Sequence, residues 1–136
     1  IEGLVRLLGK LFPDRSVALL PLPVGLVFRG EKQDLEEMLG NLLENACKYA
    51  NGRVEISVAA GSADTLVFIV DDDGPGLSPD DRQAALKRGV RLDETAPGSG
   101  LGLSIVTELA EMHSGGLSLQ DSALGGLRAE LRLPRA

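Results

Sequence analysis

Three groups of residues have the types and spacing to do chemistry. Asn41, Asn45 and Lys48 lie about one helical turn apart, so at about 100° per residue they line a narrow polar stripe. Amide oxygens suit a hard cation and an ammonium suits phosphate. Asn is a poor helix former, so two of them in mid-helix cost stability relative to Ala. A solvated helix face would also carry such residues. The second group, Asp72-Asp73-Gly74-Pro75-Gly76, follows the apolar run 67–70. An acid at a strand end, backed by two glycines, lets backbone come close to a flat ligand; a plain β-turn uses the same residue types. The third, Gly98-Ser99-Gly100-Leu101-Gly102-Leu103, opens a helical pattern. The free N–H groups and positive dipole end of such a helix start form an anion site, with phosphate as the usual guest. A dinucleotide fingerprint would follow the first strand of a parallel sheet, and a Walker loop needs Lys before Ser or Thr; this glycine run meets neither condition.

The elements that position these groups follow from periodicity. Leu4, Leu7, Leu8 and Leu11 recur at helical spacing, and Pro13 and Asp14 end that helix. Runs 17–20 and 25–28, parted by Pro21 and Pro23, read as short strands, a first hairpin. A helix is expected over 32–50, with Leu35, Leu39, Leu42, Leu43, Ala46 and Ala50 on its apolar face and Asn51-Gly52 at its end. Runs 54–60 and 65–71 form a second hairpin, and 117–120 with 127–133 a last one around Gly125-Gly126. Between them, 71–102 is rich in Gly and Pro, and a long loop in a compact domain is usually functional. A helix then resumes over 101–113, with Leu103, Val106, Leu109 and Ala110 on one face. The pattern predicts an α/β domain, a two-layer sandwich of a mixed, largely antiparallel sheet with helices on one face.

Composition narrows the function. The chain has 136 residues, 43% hydrophobic and 25% charged, a globular balance for about one domain. With three Phe and one Tyr as its aromatics, its core is aliphatic. A net charge of −6 disfavours a grip on nucleic acid backbone. Cys47 is alone, so no intrachain disulfide forms. No apolar stretch is long enough to span a bilayer as a helix. A first residue of Ile rather than Met leads us to expect a piece of a longer protein.

Each group alone is ambiguous, but their order is not. Polar helix stripe, strand–acid–Gly-x-Gly, variable stretch and Gly-x-Gly-x-Gly into a helix together strongly resemble the ATP-binding catalytic domain of sensor histidine kinases. Residues 41–49 resemble that family's N box, 72–76 its first glycine box and 98–103 its second. The runs Gly30-Glu31, Gly40-Asn41 and 45–49 are especially similar to PhoQ-type sensor kinases.

The resemblance implies a Bergerat-type sandwich with ATP between the long helix and a lid over 77–99. Asp72 would accept the adenine amino group, with Gly74 and Gly76 beside it. Asn45 would bind Mg²⁺, Asn41 would lie close to the phosphates, Lys48 would meet a phosphate and Tyr49 would pack near adenine. Gly100 and Gly102 would let the lid close over the phosphates, Gly98 and Leu101 would bind the nucleotide beside them, and Arg88 and Arg91 in the lid would reach phosphate. Asn41, Lys48 and Arg91 would serve transfer. Residues 1–12 would be the tail of a dimerisation helix and 13–136 the catalytic domain. The partners implied are the dimerisation domain that carries the phosphoacceptor histidine and, through it, a response regulator. This stretch alone would be a monomer, the whole kinase a homodimer with this domain in the cytoplasm below a bacterial inner membrane. Two departures stand out. The lid has no Phe, so Leu86 would substitute, and Ala96 stands where PhoQ-type kinases can carry Arg.

His113 is the chain's only histidine. At a helix end before Ser114-Gly115-Gly116 it reads as a capping or packing residue, not as a phosphoacceptor. A rival class is the ATP-hydrolysing clamp of gyrase, mismatch-repair and heat-shock chaperone ATPases of the same fold. Those look to a Glu one turn before the Mg²⁺-binding Asn as general base. Here that position is Asn41, which has no basic lone pair. A nucleotide-binding module without catalysis ranks third, and a serine-directed kinase of the superfamily stays open.

Overall fold

Alternation along the central strands decides which face of the sheet is covered. The computed structural model describes residues 2–20, 32–61, 64–86 and 102–134. In chain order they form α1 (Glu2–Leu11), β1 (Ser16–Leu19), α2 (Lys32–Tyr49), β2 (Arg53–Ala60), β3 (Thr65–Asp72), α3 (Pro79–Leu86), α4 (Gly102–Met112), β4 (Gly116–Asp121) and β5 (Leu127–Pro134). Val54, Ile56 and Val58 on β2, Leu66, Phe68 and Val70 on β3, and Leu127, Ala129, Leu131 and Leu133 on β5 are buried. The intervening Glu55, Ser57, Val67 and Ile69 are half exposed on the other face. Against the covered face α2 lays Met38, Leu39, Leu42, Leu43, Ala46 and Cys47, and α4 lays Leu103, Val106 and Ala110. Burying each larger side chain contributes about 1.5–3 kcal/mol. The expected apolar faces of both helices are borne out, with Leu35 and Leu109 at their edges.

The sheet runs β1-β2-β3-β5-β4. The β2–β3, β3–β5 and β5–β4 pairs are antiparallel, as expected for the two later hairpins. β1 is different: it pairs parallel with β2, Ser16 opposite Arg53. Run 25–28, expected as its hairpin partner, lies outside the described residues. The stretch after the first glycine box also needs correction, because 79–86 is helical. Ser78 Oγ accepts the Asp81 N–H at 3.2 Å, Pro79 fills the first helical position, and Asp80 and Asp81 face the positive dipole end. In α1, Leu8 enters the core while Leu7 and Leu11 stay exposed.

Candidate functional site

The end of α2 and the end of β3 are clasped by one carboxylate. Asp73 Oδ1 accepts the backbone N–H groups of Asn51, Gly52 and Arg53 at 2.8, 3.0 and 3.1 Å. Asn51 returns its side-chain N–H to the Asp73 carbonyl at 2.8 Å. These donors, Gly52 and Arg53 foremost, hold the Asp73 carboxyl below its ordinary range. Asp73 is thus a structural clasp that fixes the N-box helix against the first glycine box.

Asp72, one residue earlier, turns inward and is only 3% exposed. Its Oδ1 accepts the N–H groups of Gly74 at 2.9 Å and Leu127 at 3.1 Å. Oδ2 has no hydrogen-bond partner among the described residues. Burial pushes this carboxyl's pKa up, against the pull of the Gly74 and Leu127 N–H groups. One oxygen of this largely buried carboxylate is fixed by backbone N–H groups and the other is left to accept, so the arrangement suits an amino group on a ligand.

Close packing of glycine makes this pocket possible. A Cβ on Gly74 would collide with the Tyr49 carbonyl, which brings the last residue of α2 beside Asp72. Gly76 has φ +72°, the left-handed region that favours glycine. Gly126 lies against Asp72 Oδ1, the Asp72 carbonyl and the Gly74 nitrogen, and its own N–H donates to the Asp72 carbonyl at 3.1 Å. Gly126→Ala would overfill this contact and is expected to cost about 1–3 kcal/mol. A thermal melt checks it; a melting temperature equal to that of the wild type would mean that the turn simply yields.

The α2 stripe is present as expected. Asn41 donates its amide N–H to the Glu37 carbonyl at 2.9 Å, leaving its oxygen as an acceptor. Asn45 is half exposed and makes no side-chain hydrogen bond among the described residues. Lys48, 15% exposed, places Nζ 3.4 Å from Glu44 Oε1 across one turn. Such a pair is weak, so a phosphate can displace it. Cys47, between these residues in sequence, faces the core, where burial pushes its thiol up to about 11 against the pull of Arg15. It is inert rather than nucleophilic.

Among the described residues no three His, Cys, Asp or Glu side chains gather as a metal cage. One neutral amide oxygen at Asn45 fits Mg²⁺ held mainly by water and phosphate, a usual habit of that ion. Gly102 begins α4, so the second glycine box does lead into a helix. Gly98, Gly100, Leu101, Arg88 and Arg91 lie outside the described residues, as do the rest of the expected lid over 87–99 and the side chain of Leu86. His113 packs as expected: Nε2 sits 2.8 Å from Asp34 Oδ2 in the first turn of α2.

A family model for histidine kinase-, DNA gyrase B- and HSP90-like ATPases matches residues 30–136. The chain belongs to this ATPase family. Within the family it is 54% identical over 112 residues to the sensor protein kinase CarS of Pseudomonas aeruginosa, covering 82% of this chain and 25% of CarS. It is 38% identical over 132 residues to the virulence sensor histidine kinase PhoQ of Salmonella typhimurium, covering 96% of this chain and 27% of PhoQ. The chain therefore spans about a quarter of the length of these curated relatives. Among solved structures, the ATP-binding domain of PrrB from Mycobacterium tuberculosis superposes with a TM-score of 0.82 at 30% identity, covering 98% of this chain and 90% of that one. The expected family and sandwich fold are borne out. Sequence patterns missed Gly126, the Leu127 N–H and the Glu44–Lys48 pair; a doubled glycine where one suffices for a turn was the signal for the first.

Proposed function

We propose that this chain is the catalytic ATP-binding domain of a two-component sensor histidine kinase, which passes the γ-phosphate to a histidine on a dimerisation domain. The observation that carries this reading is Asp72: a buried carboxylate with one oxygen fixed by two backbone N–H groups and the other left for a ligand's amino group. Adenine supplies that donor. Tyr49, brought beside the pocket by Gly74, packs near the base. From there the α2 stripe leads to the phosphates, where Lys48 exchanges Glu44 for a phosphate oxygen. Asn45 and the phosphates would hold Mg²⁺, which when bound offsets phosphate charge. We assign Asn41 to the same oxygens, and Arg88 and Arg91 to phosphate as further cations.

The second reading, an ATP-hydrolysing clamp, is disfavoured by Asn41. Its amide N–H is spent on the Glu37 carbonyl, and the remaining oxygen is no base. CarS and PhoQ are named as sensor kinases, which supports the first reading. On it, α1 is the end of a dimerisation helix, the whole kinase is a homodimer that serves a response regulator, and this domain lies in the cytoplasm. No helix among the described residues is long and apolar enough to cross a membrane.

The test is calorimetric titration with ATP, with and without EDTA. Wild-type binding should weaken when Mg²⁺ is chelated. Asn45→Ala, which removes the hard oxygen, should make binding nearly indifferent to Mg²⁺. An undiminished Mg²⁺ dependence in that variant would remove Asn45 from the metal.

A further inference from the structure

Behind the pocket, on the open face of the sheet, lies a polar cluster that no ligand touches in the reading above. Asp71 is 8% exposed and points away from Asp72, because successive strand residues alternate. Its cross-strand partner Arg128 donates Nε to Oδ1 at 2.9 Å and a terminal nitrogen to Oδ2 at 3.3 Å. Ser122, 9% exposed, donates its hydroxyl to the same Oδ1 at 2.8 Å.

Ser122 is also the knot of the β4–β5 turn. Its Oγ accepts the Leu124 N–H at 3.1 Å, its N–H donates to the Gly126 carbonyl at 2.8 Å, and its carbonyl accepts the Gly125 N–H at 3.0 Å. The next two residues of the chain reach Asp72: Gly126 N–H to its carbonyl and Leu127 N–H to Oδ1. The hydroxyl of one serine therefore couples a half-buried ion pair on one face of the sheet to the orientation of a carboxylate on the other. Well-satisfied networks of this kind, shielded on the Asp71 and Ser122 side, favour a single geometry.

We propose that Ser122, anchored by the Asp71–Arg128 pair, is a positioning residue for base selection. It holds the turn that keeps Asp72 Oδ1 engaged by Leu127, and so leaves Oδ2 as the acceptor offered to the base. A 6-amino purine donates there; a 6-oxo purine presents an oxygen and is refused. This rests on Asp72 being the adenine acceptor. Without the Ser122 hydroxyl the turn loosens, the carboxylate loses its fixed orientation and the preference for the 6-amino purine narrows.

Calorimetric titration with ATP and with GTP, on protein shown to be folded by circular dichroism at the same temperature, tests this. The wild type should prefer ATP. Ser122→Ala should lose about three- to tenfold in ATP affinity, the cost of a hydrogen bond that positions rather than contacts, with GTP affinity unmoved. Ser122→Thr, which keeps the hydroxyl, should restore the ratio. Should Ser122→Ala not fold, Arg128→Lys keeps the charge, loses the forked contact and should narrow the ratio likewise. A wild type that binds both nucleotides alike overturns the Asp72 assignment and the inference with it. A selective wild type whose ratio survives in the variant, or whose affinities fall equally for both nucleotides, overturns the inference alone.

Discussion

Asp72→Asn is expected to lose about 5- to 150-fold in ATP affinity while the folded chain becomes no less stable at neutral pH. The two effects have different origins. The amide oxygen can still accept from Gly74 and Leu127, so the local backbone keeps its partners. The amide nitrogen replaces Oδ2 and sets a donor against the adenine amino group, at a cost of about 1–3 kcal/mol. Stability moves the other way. Burial raises the Asp72 pKa, so the folded state holds that proton more tightly than the unfolded chain. Its contribution is fully present below the unfolded carboxylate range and is lost as pH rises through the higher folded value. At pH 7 an ionised Asp72 is a burden that Asn removes.

Melts of wild type and Asp72→Asn across the acid range read this directly. The stability advantage of the variant should grow as pH rises through the carboxylate range and then level off. Asp73 carries the opposite sign, since its pKa is lowered and its contribution is lost as pH falls. Its signal is common to both proteins and cancels in their difference. A variant that binds ATP as the wild type does would take Asp72 out of the site; one that melts lower at pH 7 would mean that the carboxylate's charge stabilises the fold.

Much of this arrangement is legible in the residues because local rules fix it. The alternation of Val54, Ile56 and Val58, the apolar face of α2 and the Asn41–Asn45–Lys48 stripe need only period and spacing. α3 was hidden for a local reason too. Ser78-Pro79-Asp80-Asp81 is a helix start, but the surrounding glycines and prolines argue for loop. β1 was legible as a strand, but its pairing was hidden for a different reason: its parallel partner lies across a whole helix, and nothing in 16–19 names it. The setting of Asp72 is non-local as well. Gly126 and Leu127 stand over fifty residues away in sequence, and only the β3–β5 register brings them to it. An acid followed by Gly-x-Gly could be read as a site, but the turn that aims it could not.

The largest effect should appear in the phosphotransfer assay. Incubated with ATP and Mg²⁺, this chain alone should acquire no label. Its one histidine, His113, is engaged by Asp34 and follows the far end of α4. From Gly102 to Met112 that helix is about 16 Å long at 1.5 Å per residue. In-line transfer needs reacting atoms about 3–3.5 Å apart. Supplied with the matching dimerisation domain, the chain should label that domain's histidine, and the product should be acid-labile and base-stable, as a phosphoramidate is. Without the acceptor, ATP turnover should stay near background, because the Asn41 amide cannot take a proton from water. Asn41→Glu tests that cause. A positioned general base is worth about 10²–10⁴-fold, so even an imperfectly placed carboxylate should raise acceptor-free hydrolysis by about tenfold. That gain, with histidine labelling reduced as ATP is drawn off to water, would locate the choice between kinase and ATPase chemistry in one side chain. Rapid acceptor-free hydrolysis by the wild type would overturn the kinase reading and favour the clamp.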